Sequence, residues 1–373
     1  MLEAPLPGGG ASAALARWEC LVTEMRRHLG WTEGPVVARL HAGGATLAFE
    51  APEDQLFTAT EVNEWAWQQA LEEKTDLGFP RPCAPGHPAV GDAVSAARTL
   101  AALAAEEARP ALMALLAEAR RRNLPSLLGE DSLSLGAGCG HQAWPLDALP
   151  ALDQVPWPRL HGIPTVLVTG SNGKTTTTRL LAAMATAQGW TTGFTCTDGV
   201  SIAGALVEAG DYSGPMGARV VLRDARVEAA LLETARGGIL RRGLALAETP
   251  VALITNVSAD HFGEYGIHSL EDLAEAKLVV ARAVAPGGTL VLNADDPLLV
   301  AHSRGLDCAL GWFALDADHP VLQEHRRLGG ATCGVQDDHL SLAWQGSVHD
   351  LGAVATMPLS AGGHAAYNLS NLA

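Results

Sequence analysis

Residues 165–184 read TVLVTGSNGKTTTTRLLAAM, and they carry the strongest indication of the fold in this sequence. A β-branched apolar run leads into a turn with two glycines and then into an apolar segment, which predicts a strand, a loop and a helix in succession. Gly170 and Gly173 let the backbone approach an anion and present N–H groups to it. Lys174 adds a point charge for the β- and γ-phosphates, and the Thr175 hydroxyl suits Mg²⁺. The stretch predicts a phosphate loop.

The loop departs from the usual pattern, because Val168 stands where the first glycine is expected and leaves a loop two residues shorter, Gly-x-x-Gly-Lys-Thr. An ordinary strand-to-helix turn is the alternative, since Gly-Lys-Thr alone is common by chance. Its position between a β-rich strand and a helix favours the phosphate loop. The predicted nucleotide-binding residues in the loop are Gly170, Ser171, Asn172, Gly173, Lys174, Thr175 and Thr176.

Around this loop, from about residue 161 to 300, short β-branched runs alternate with helical segments. Alternation of this kind predicts an α/β fold, a doubly wound and mainly parallel sheet. Ligands of such sheets bind beyond the carboxyl ends of the strands. After residue 300 the helical signal fades, and residues 338–360 alternate like a small antiparallel ribbon.

Three further candidates follow predicted strands or lie on a predicted helix. Glu233 ends the run VEAALLE and precedes TARGGILRRG, so it can supply an oxygen to a divalent cation. His261 follows VALITNVSAD, and Lys277 lies within LEDLAEAKLVVARAV. Taken singly, each has an ordinary alternative: a surface glutamate, a packed histidine and a lysine whose stem covers apolar surface. Their joint arrangement carries the functional interpretation.

Composition limits the classes of function. The 373 residues are 48% hydrophobic and carry a formal net charge of -16, which disfavours nucleic acid and anionic membranes as partners. The six cysteines are scattered and form no zinc or redox motif. We find neither a targeting segment nor a run of about 18 uncharged apolar residues, so we expect a cytoplasmic protein.

The N-terminal part predicts a smaller α+β domain without recognisable chemistry. Residues 35–41 and 44–52 read as a hairpin, and a helix is expected to start near Thr58, which has capping-box spacing with Glu61. Residues 76–92 are rich in Pro and Gly and predict a loop, and an Ala-rich helical stretch beyond it breaks at Pro110. The predicted domains are 1–160, 161–361 and 362–373.

The ordered motifs resemble the Mur ligase superfamily of ATP-dependent amide ligases, which includes peptidoglycan amino-acid ligases and folylpolyglutamate synthetase. VTGSNGKTTT, Glu233, TNVSADH and the helix with Lys277 carry this resemblance. The stretch from TTGFTCTDG to ARGGILRRGLAL, followed by TNVSADHFGEYGIHSLEDLAEAK, is similar to the Mur-ligase-type region of the cyanophycin synthetases. The resemblance covers roughly residues 161–300.

The resemblance implies roles for these residues. Residues 170–176 would hold the phosphates of ATP, and Asn293 would lie near the adenine. Thr175 and Glu233 would hold one Mg²⁺. His261 would help hold a second, with Lys277 carbamylated to bridge the metals. Asp198 and Arg236 would face the acceptor substrate.

The implied reaction is amide formation: a carboxylate acceptor, a small molecule or a peptide, is activated by ATP as an acyl phosphate, and an amino acid displaces phosphate. The predicted catalytic residues are Lys174, Glu233, His261 and Lys277, and the predicted metal ligands are Thr175, Glu233, His261 and Lys277. The sequence leaves open whether the protein forms a homo-oligomer.

One motif departs from the family. In the family, the motif that leads into a C-terminal domain has the form Gly-x-His-Asn-x-x-Asn. In this chain the corresponding stretch GGHAAYN keeps Gly362, His364 and Asn368 but has Ala365 in place of the first Asn. We expect residues 362–373 to be the start of that domain, the rest of which is absent from the 373 residues. The alternative function is therefore a non-catalytic or regulatory ATP-binding homologue.

Overall fold

The computed structural model describes residues 1–4, 11–31, 34–41, 44–71, 92–259, 262–264 and 266–373. Their contacts divide the chain into two compact units, Met1–Ala117 and Glu118–Ala373. The predicted domain boundaries at residues 160 and 361 remain predictions. The predicted loop at 76–92 lies, except for Asp92, outside the described residues.

The first unit is a three-stranded antiparallel sheet, in the order β1-β3-β2, together with helices. Pairing of Val36 with Phe49 and of His41 with Gly44 confirms the predicted hairpin. The elements as far as the unit boundary are β1 Leu2–Ala4, α1 Ala11–His28, β2 Val36–His41, β3 Gly44–Phe49, α2 Leu56–Ala70, α3 Ala93–Glu107 and α4 Pro110–Arg121.

A buried hydrogen-bond chain connects the elements of this unit. The indole Nε1 of Trp18 donates to Asn63 Oδ1 at 2.8 Å, and Asn63 Nδ2 donates to the carbonyl of Leu47 at 3.1 Å. Trp18, Leu47 and Val62 are almost fully buried around it. Because these polar groups satisfy one another, the apolar core forms without a cost for their burial.

The start of α2 differs from the prediction. The helix begins at Leu56, after the N-cap residue Gln55, so the predicted capping box of Thr58 and Glu61 does not form. Thr58 is buried, and its N–H and hydroxyl both donate to Glu107 Oε2 at 2.8 Å. A carboxylate from α3 thus takes the role that capping-box spacing had assigned within α2. The predicted break at Pro110 is confirmed, because Pro110 is the first residue of α4.

The second unit contains an eleven-stranded sheet in the order β10-β9-β8-β11-β7-β12-β13-β14-β15-β16-β17, and β4, β5 and β6 form a separate antiparallel ribbon. Its elements after α4 are β4 Ser126–Leu128, β5 Ser132–Leu135, β6 Gln142–Pro145, β7 Thr165–Thr169, α5 Lys174–Ala187, β8 Thr192–Cys196, β9 Gly199–Ile202, β10 Ala205–Ala209, α6 Pro215–Leu222, β11 Ala229–Glu233, α7 Arg236–Arg242, β12 Thr249–Ile254, α8 Leu270–Leu278, β13 Val284–Asn293, α9 Pro297–His302, β14 Ala309–Asp316, α10 Pro320–Arg327, β15 Ala331–Gln336, β16 His339–Trp344, β17 Ser347–Ala353 and α11 Ala366–Leu372.

The centre of this sheet is parallel and its two edges are antiparallel. From β8 to β15 all neighbouring strands run in the same direction, whereas β9 and β10 at one edge and β16 and β17 at the other pair antiparallel. The central strands are apolar runs, as expected where helices cover both faces. The predicted α/β class, a mainly parallel sheet preceded by a smaller α+β region, is confirmed.

Some expectations about single elements were wrong. The predicted helix at 270–284 ends at Leu278, and a 3₁₀ segment, Val279–Ala283, completes the turn. The predicted ribbon after residue 338 exists, but β15 joins it to the main sheet. The helix α10 was not predicted, because only Leu322 of its eight residues is buried and the helical pattern after residue 300 is weak. No helix among the described residues is long and apolar enough to cross a membrane.

Candidate active site

The phosphate loop lies between β7 and α5, where the strand order places β7 between β11 and β12. Gly170 has a φ of 144°, and a Cβ there would overlap the Thr255 hydroxyl. Gly173 has a φ of 82° and is the N-cap of α5. Both glycines are therefore required by conformation or by close approach, as the sequence predicted.

Two N–H groups of the loop bond to a neighbouring segment, and those at the start of α5 remain for a ligand. Ser171 N donates to the carbonyl of Asn256 at 2.9 Å, and Asn172 N donates to Asn256 Oδ1 at 3.0 Å. Lys174 folds back over the loop, with its Nζ 3.0 Å from the carbonyl oxygen of Ser171. The first turn of α5, whose N–H groups have no partner within the helix, is thus left to meet an anion.

Glu233 and Thr175 form a hydrogen-bonded polar pair beside the phosphate loop. Thr175 Oγ1 donates to Glu233 Oε2 at 2.7 Å and is 3.2 Å from Thr197 Oγ1. Since Thr175 has one proton and Glu233 accepts it, Thr197 is the donor in the second contact. Glu233 Oε1 is buried and receives no well-formed hydrogen bond from the described residues.

An unsatisfied buried carboxylate oxygen is costly unless a cation or a donor meets it. Burial raises the pKa of the Glu233 carboxyl, and the hydrogen bond from Thr175, the charge of Lys174 and the backbone N–H of Thr197 oppose this rise. The donor set of two hydroxyl oxygens and one carboxylate is the type that Mg²⁺ prefers. These residues therefore fit a divalent cation beside the phosphate loop.

A cavity of about 480 Å³ opens in front of the loop. Its lining includes Gly170 and Lys174 of the loop and Lys277 of α8. Among the described lining residues five side chains are basic and two are acidic, although the whole chain has a net charge of -16. The basic residues are Lys174, Arg236, Arg241, Arg242 and Lys277, and the acidic ones are Asp211 and Glu264. Local charge thus favours an anionic ligand.

The two residues predicted to face the acceptor have different surroundings. Arg236 is buried, lines the cavity and donates through Nη2 to Glu264 Oε2 at 2.7 Å. Asp198 follows β8, is exposed, and accepts from Arg179 Nη2 at 2.6 Å. Arg236 is therefore held within the cavity, whereas the carboxylate of Asp198 is already paired outside its lining. Both roles remain predictions.

Of the remaining predicted metal ligands, Lys277 is 3% exposed and lines the cavity from the last turn of α8. His261 lies outside the described residues, as does Asp260. Within the described part of the chain, no group of three or more His, Cys, Asp and Glu side chains is arranged to hold a metal ion. The assignment of His261 and Lys277 to a second cation therefore stays a prediction.

Asn293 ends β13 and is buried with both ends of its amide bonded. Its Nδ2 donates to the carbonyl of Thr255 at 2.9 Å, and its Oδ1 accepts from Asp295 N at 2.9 Å. The side chain therefore fixes the end of β12 beside the phosphate loop. Its predicted position near the adenine remains a prediction.

The structure adds residues that sequence reasoning missed. Thr255, Asn256 and Ser258 contact the phosphate loop, and Thr197 contacts Thr175. Ser213 precedes α6, and both its N–H and its hydroxyl donate to Asp211, at 3.0 and 2.5 Å. The usable signal was position for the segments after β8 and β12, because both are parallel strands near β7 whose carboxyl ends lie at the same edge of the sheet.

Comparison with known proteins identifies this region. Residues 168–342 match the model of the Mur ligase middle domain. The resemblance to the Mur ligase superfamily found in the sequence is confirmed over this part of the chain.

The chain is 42% identical to the cyanophycin synthetase of Synechocystis sp. over 228 residues, which is 60% of this chain and 26% of that protein. It is 32% identical over 187 residues to the UDP-N-acetylmuramoyl-L-alanyl-D-glutamate–2,6-diaminopimelate ligase of Xanthomonas campestris pv. campestris, covering 48% of this chain and 35% of that protein. A solved structure of a UDP-N-acetylmuramoyl-L-alanyl-D-glutamate–2,6-diaminopimelate ligase aligns with this chain with a TM-score of 0.43 at 22% identity. The alignment covers 56% of this chain and 41% of that one. The chain thus spans about a quarter of the length of the cyanophycin synthetases that it matches.

Proposed function

We propose that this protein is an ATP-dependent acid–amino-acid ligase that forms an amide bond through an acyl phosphate. The observation that carries the proposal is the pairing of Thr175 with the buried Glu233 beside a phosphate loop whose Lys174 lines a basic cavity. This arrangement supports the binding of a nucleotide's phosphates, a divalent cation and an anionic acceptor. The cyanophycin synthetase and Mur ligase relatives support the same class of reaction.

In the proposed reaction an oxygen of the acceptor carboxylate bonds to the γ-phosphorus of ATP, and ADP leaves. The amino acid's nitrogen then bonds to the acyl carbon. Phosphate leaves with the oxygen that came from the acceptor carboxylate, and the nitrogen loses a proton. A bound Mg²⁺ would supply neutralisation of the phosphate charge. The chain contributes orientation and fixed positive charge, and no protein nucleophile is needed.

The chain's own residues divide these tasks. Thr175 and Glu233 would hold the cation, and Lys174 would lie against the transferred phosphoryl group. The Arg236 guanidinium is fixed by Glu264, so it can orient an acceptor carboxylate without first being ordered. Lys277, carbamylated by CO₂, would turn a buried cation into an anionic ligand for a second metal, with His261.

The test is release of ADP and phosphate from Mg·ATP by the purified chain, with a panel of carboxylate acceptors and amino acids supplied singly and in pairs. We expect turnover that requires both an acceptor and an amino acid, with a new amide detected by mass spectrometry. Phosphate release that is indifferent to every acceptor and amine would contradict the ligase. Tight ATP binding without turnover in any pair would favour the non-catalytic alternative.

A further inference from the structure

The segment Thr255–Ser258, which follows β12, lies along the phosphate loop, and Asn256 makes its central contact. Asn256 Oδ1 accepts from the N–H of Asn172 at 3.0 Å, and Asn256 Nδ2 donates to the carbonyl of Asn172 at 3.1 Å. A backbone N–H only donates and a carbonyl only accepts, so these partners fix the orientation of the amide. One side chain therefore holds both backbone polar groups of Asn172.

The rest of the segment extends this contact. Ser171 Oγ donates to the carbonyl of Ser258 at 2.9 Å and accepts from Ser258 N at 3.0 Å. Thr255 Oγ1 donates to the carbonyl of Asn172 at 2.6 Å. Within the loop itself, Lys174 Nζ contacts the Ser171 carbonyl. The conformation of Ser171 and Asn172 is thus set largely by a neighbouring strand.

This support has a consequence for the donors in the first turn of α5. Asn172 directly precedes Gly173, whose left-handed backbone turns the chain into the helix. If Asn172 were not held, the direction of the following N–H groups would have to be fixed when phosphate binds, at a cost in conformational entropy. A loop shortened by two residues has fewer N–H groups of its own to fix that direction.

We propose that Asn256 is a positioning residue that pre-forms the short phosphate loop for a nucleotide. This proposal rests on the proposed function, since it specifies how the same site reaches its affinity. Asn256 does not line the cavity in front of the loop, so it acts through Asn172. Its loss should weaken nucleotide binding and leave the binding of the acceptor carboxylate unchanged.

The experiment is calorimetric titration of Mg·ADP into the full chain and into three variants. We expect Asn256→Ala to weaken ADP binding about tenfold or more, and Thr255→Val, which removes one hydroxyl donor, to weaken it by about two- to fivefold. Thr249→Val is the matched control. Thr249 begins β12 and donates to the carbonyl of Thr165 of β7 at 2.8 Å, at the end of the strands opposite to the phosphate loop. We expect it to bind ADP like the unaltered protein.

Hydrogen exchange without nucleotide gives a second readout, in which the amides of Ser171 and Asn172 should exchange faster in Asn256→Ala and not in Thr249→Val. Should Asn256→Ala fail to fold, Thr255→Val carries both measurements. Unchanged ADP affinity in the variants, with binding intact in the unaltered protein, would overturn this inference alone. Equal weakening by Thr249→Val would show general destabilisation and overturn it too. No binding of Mg·ADP by the unaltered protein would overturn both this inference and the proposed function.

Discussion

At the scale of single residues, the site's most informative atom is Oε1 of Glu233. It is buried at the end of β11 and lacks a well-formed hydrogen bond among the described residues, while Oε2 accepts from Thr175. A structural role would be better served by a satisfied or apolar side chain. We therefore predict that Glu233 is kept for a ligand.

We predict that Glu233→Gln weakens the binding of a divalent cation but raises the free energy of unfolding over part of the pH range. Loss of the carboxylate should weaken the binding of a divalent cation by at least about tenfold. Because burial raises the pKa of Glu233, the wild-type side chain favours folding below its unfolded pKa and loses that contribution as pH rises through the folded pKa. The variant should therefore gain stability relative to the unaltered protein as pH rises above the ordinary pKa of a glutamate carboxyl, 4.5.

Urea unfolding across that range, with cation binding measured at pH 7, provides the check. A stability difference that does not change with pH would contradict the raised pKa. Unaltered cation affinity would remove Glu233 from the site. The variant Glu228→Gln is the control for the pH series, because Glu228 is exposed and its pKa is lowered, chiefly by the N–H of Thr191.

Lys277 carries the second prediction at this scale. It is 3% exposed and lines the cavity. If a carbamate on Lys277 holds a metal, Lys277→Ala should lower turnover by about a hundredfold or more and small carboxylates such as formate or acetate should partly restore it. Steady-state rates with and without the added carboxylate test this. Full activity of the variant would exclude the carbamate, and a loss without rescue would leave Lys277 a structural role.

At the scale of elements, α8 shows how the chain fixes a site residue. The helix starts with a capping box: Ser269 Oγ accepts from Asp272 N at 3.0 Å, and Asp272 Oδ2 accepts from Ser269 N at 3.0 Å. It ends one residue after Lys277, where the chain passes into a 3₁₀ segment. The cap therefore sets the register of a helix of only two to three turns.

Removing this cap should be measurable. We predict that Ser269→Ala lowers the free energy of unfolding by about 1 kcal/mol, because an orphan N–H of the first turn loses its acceptor. Thermal unfolding gives the value, and Ser347→Ala, at an exposed position that begins β17, is the control expected to stay within about 0.5 kcal/mol. Equal effects of the two substitutions would show that the cap contributes nothing particular.

At the scale of the whole molecule, the chain has two compact units with separate apolar cores. Leu47 lies in the core of the first unit and Leu290 in that of the second, and both side chains are fully buried. The candidate site belongs entirely to the second unit. Stability and nucleotide binding should therefore be separable by position.

We predict two transitions in calorimetry, of which Mg·ADP raises only the one belonging to residues 118–373. Leu47→Ala and Leu290→Ala form a matched pair, each expected to cost about 2–5 kcal/mol in its own unit. Only Leu290→Ala should lower the transition that responds to ADP. A single transition shifted equally by both substitutions would contradict independent cores.

The elements near the loop could be predicted from the local sequence. The β-branched run at 165–169, the two glycines and the apolar periodicity of α5 act within a few residues, so their pattern is legible along the chain. The same holds for the break at Pro110 and for the alternation that predicts a parallel sheet. The start of α2 was not predicted correctly, because it depends on the distant carboxylate of Glu107, and α10 was missed because only Leu322 of its eight residues is buried.

The assembly of the site depends on contacts between residues that are distant in sequence. Asn256 meets Asn172 across 84 residues of chain, and Glu233 meets Thr175 across 58. Both contacts exist because the sheet places β7 between β11 and β12, strands that are distant from it in sequence. Periodicity reports which face of an element is buried, but it does not report strand order. The sequence therefore determined that a phosphate loop forms, and the order of the strands decided which residues hold it.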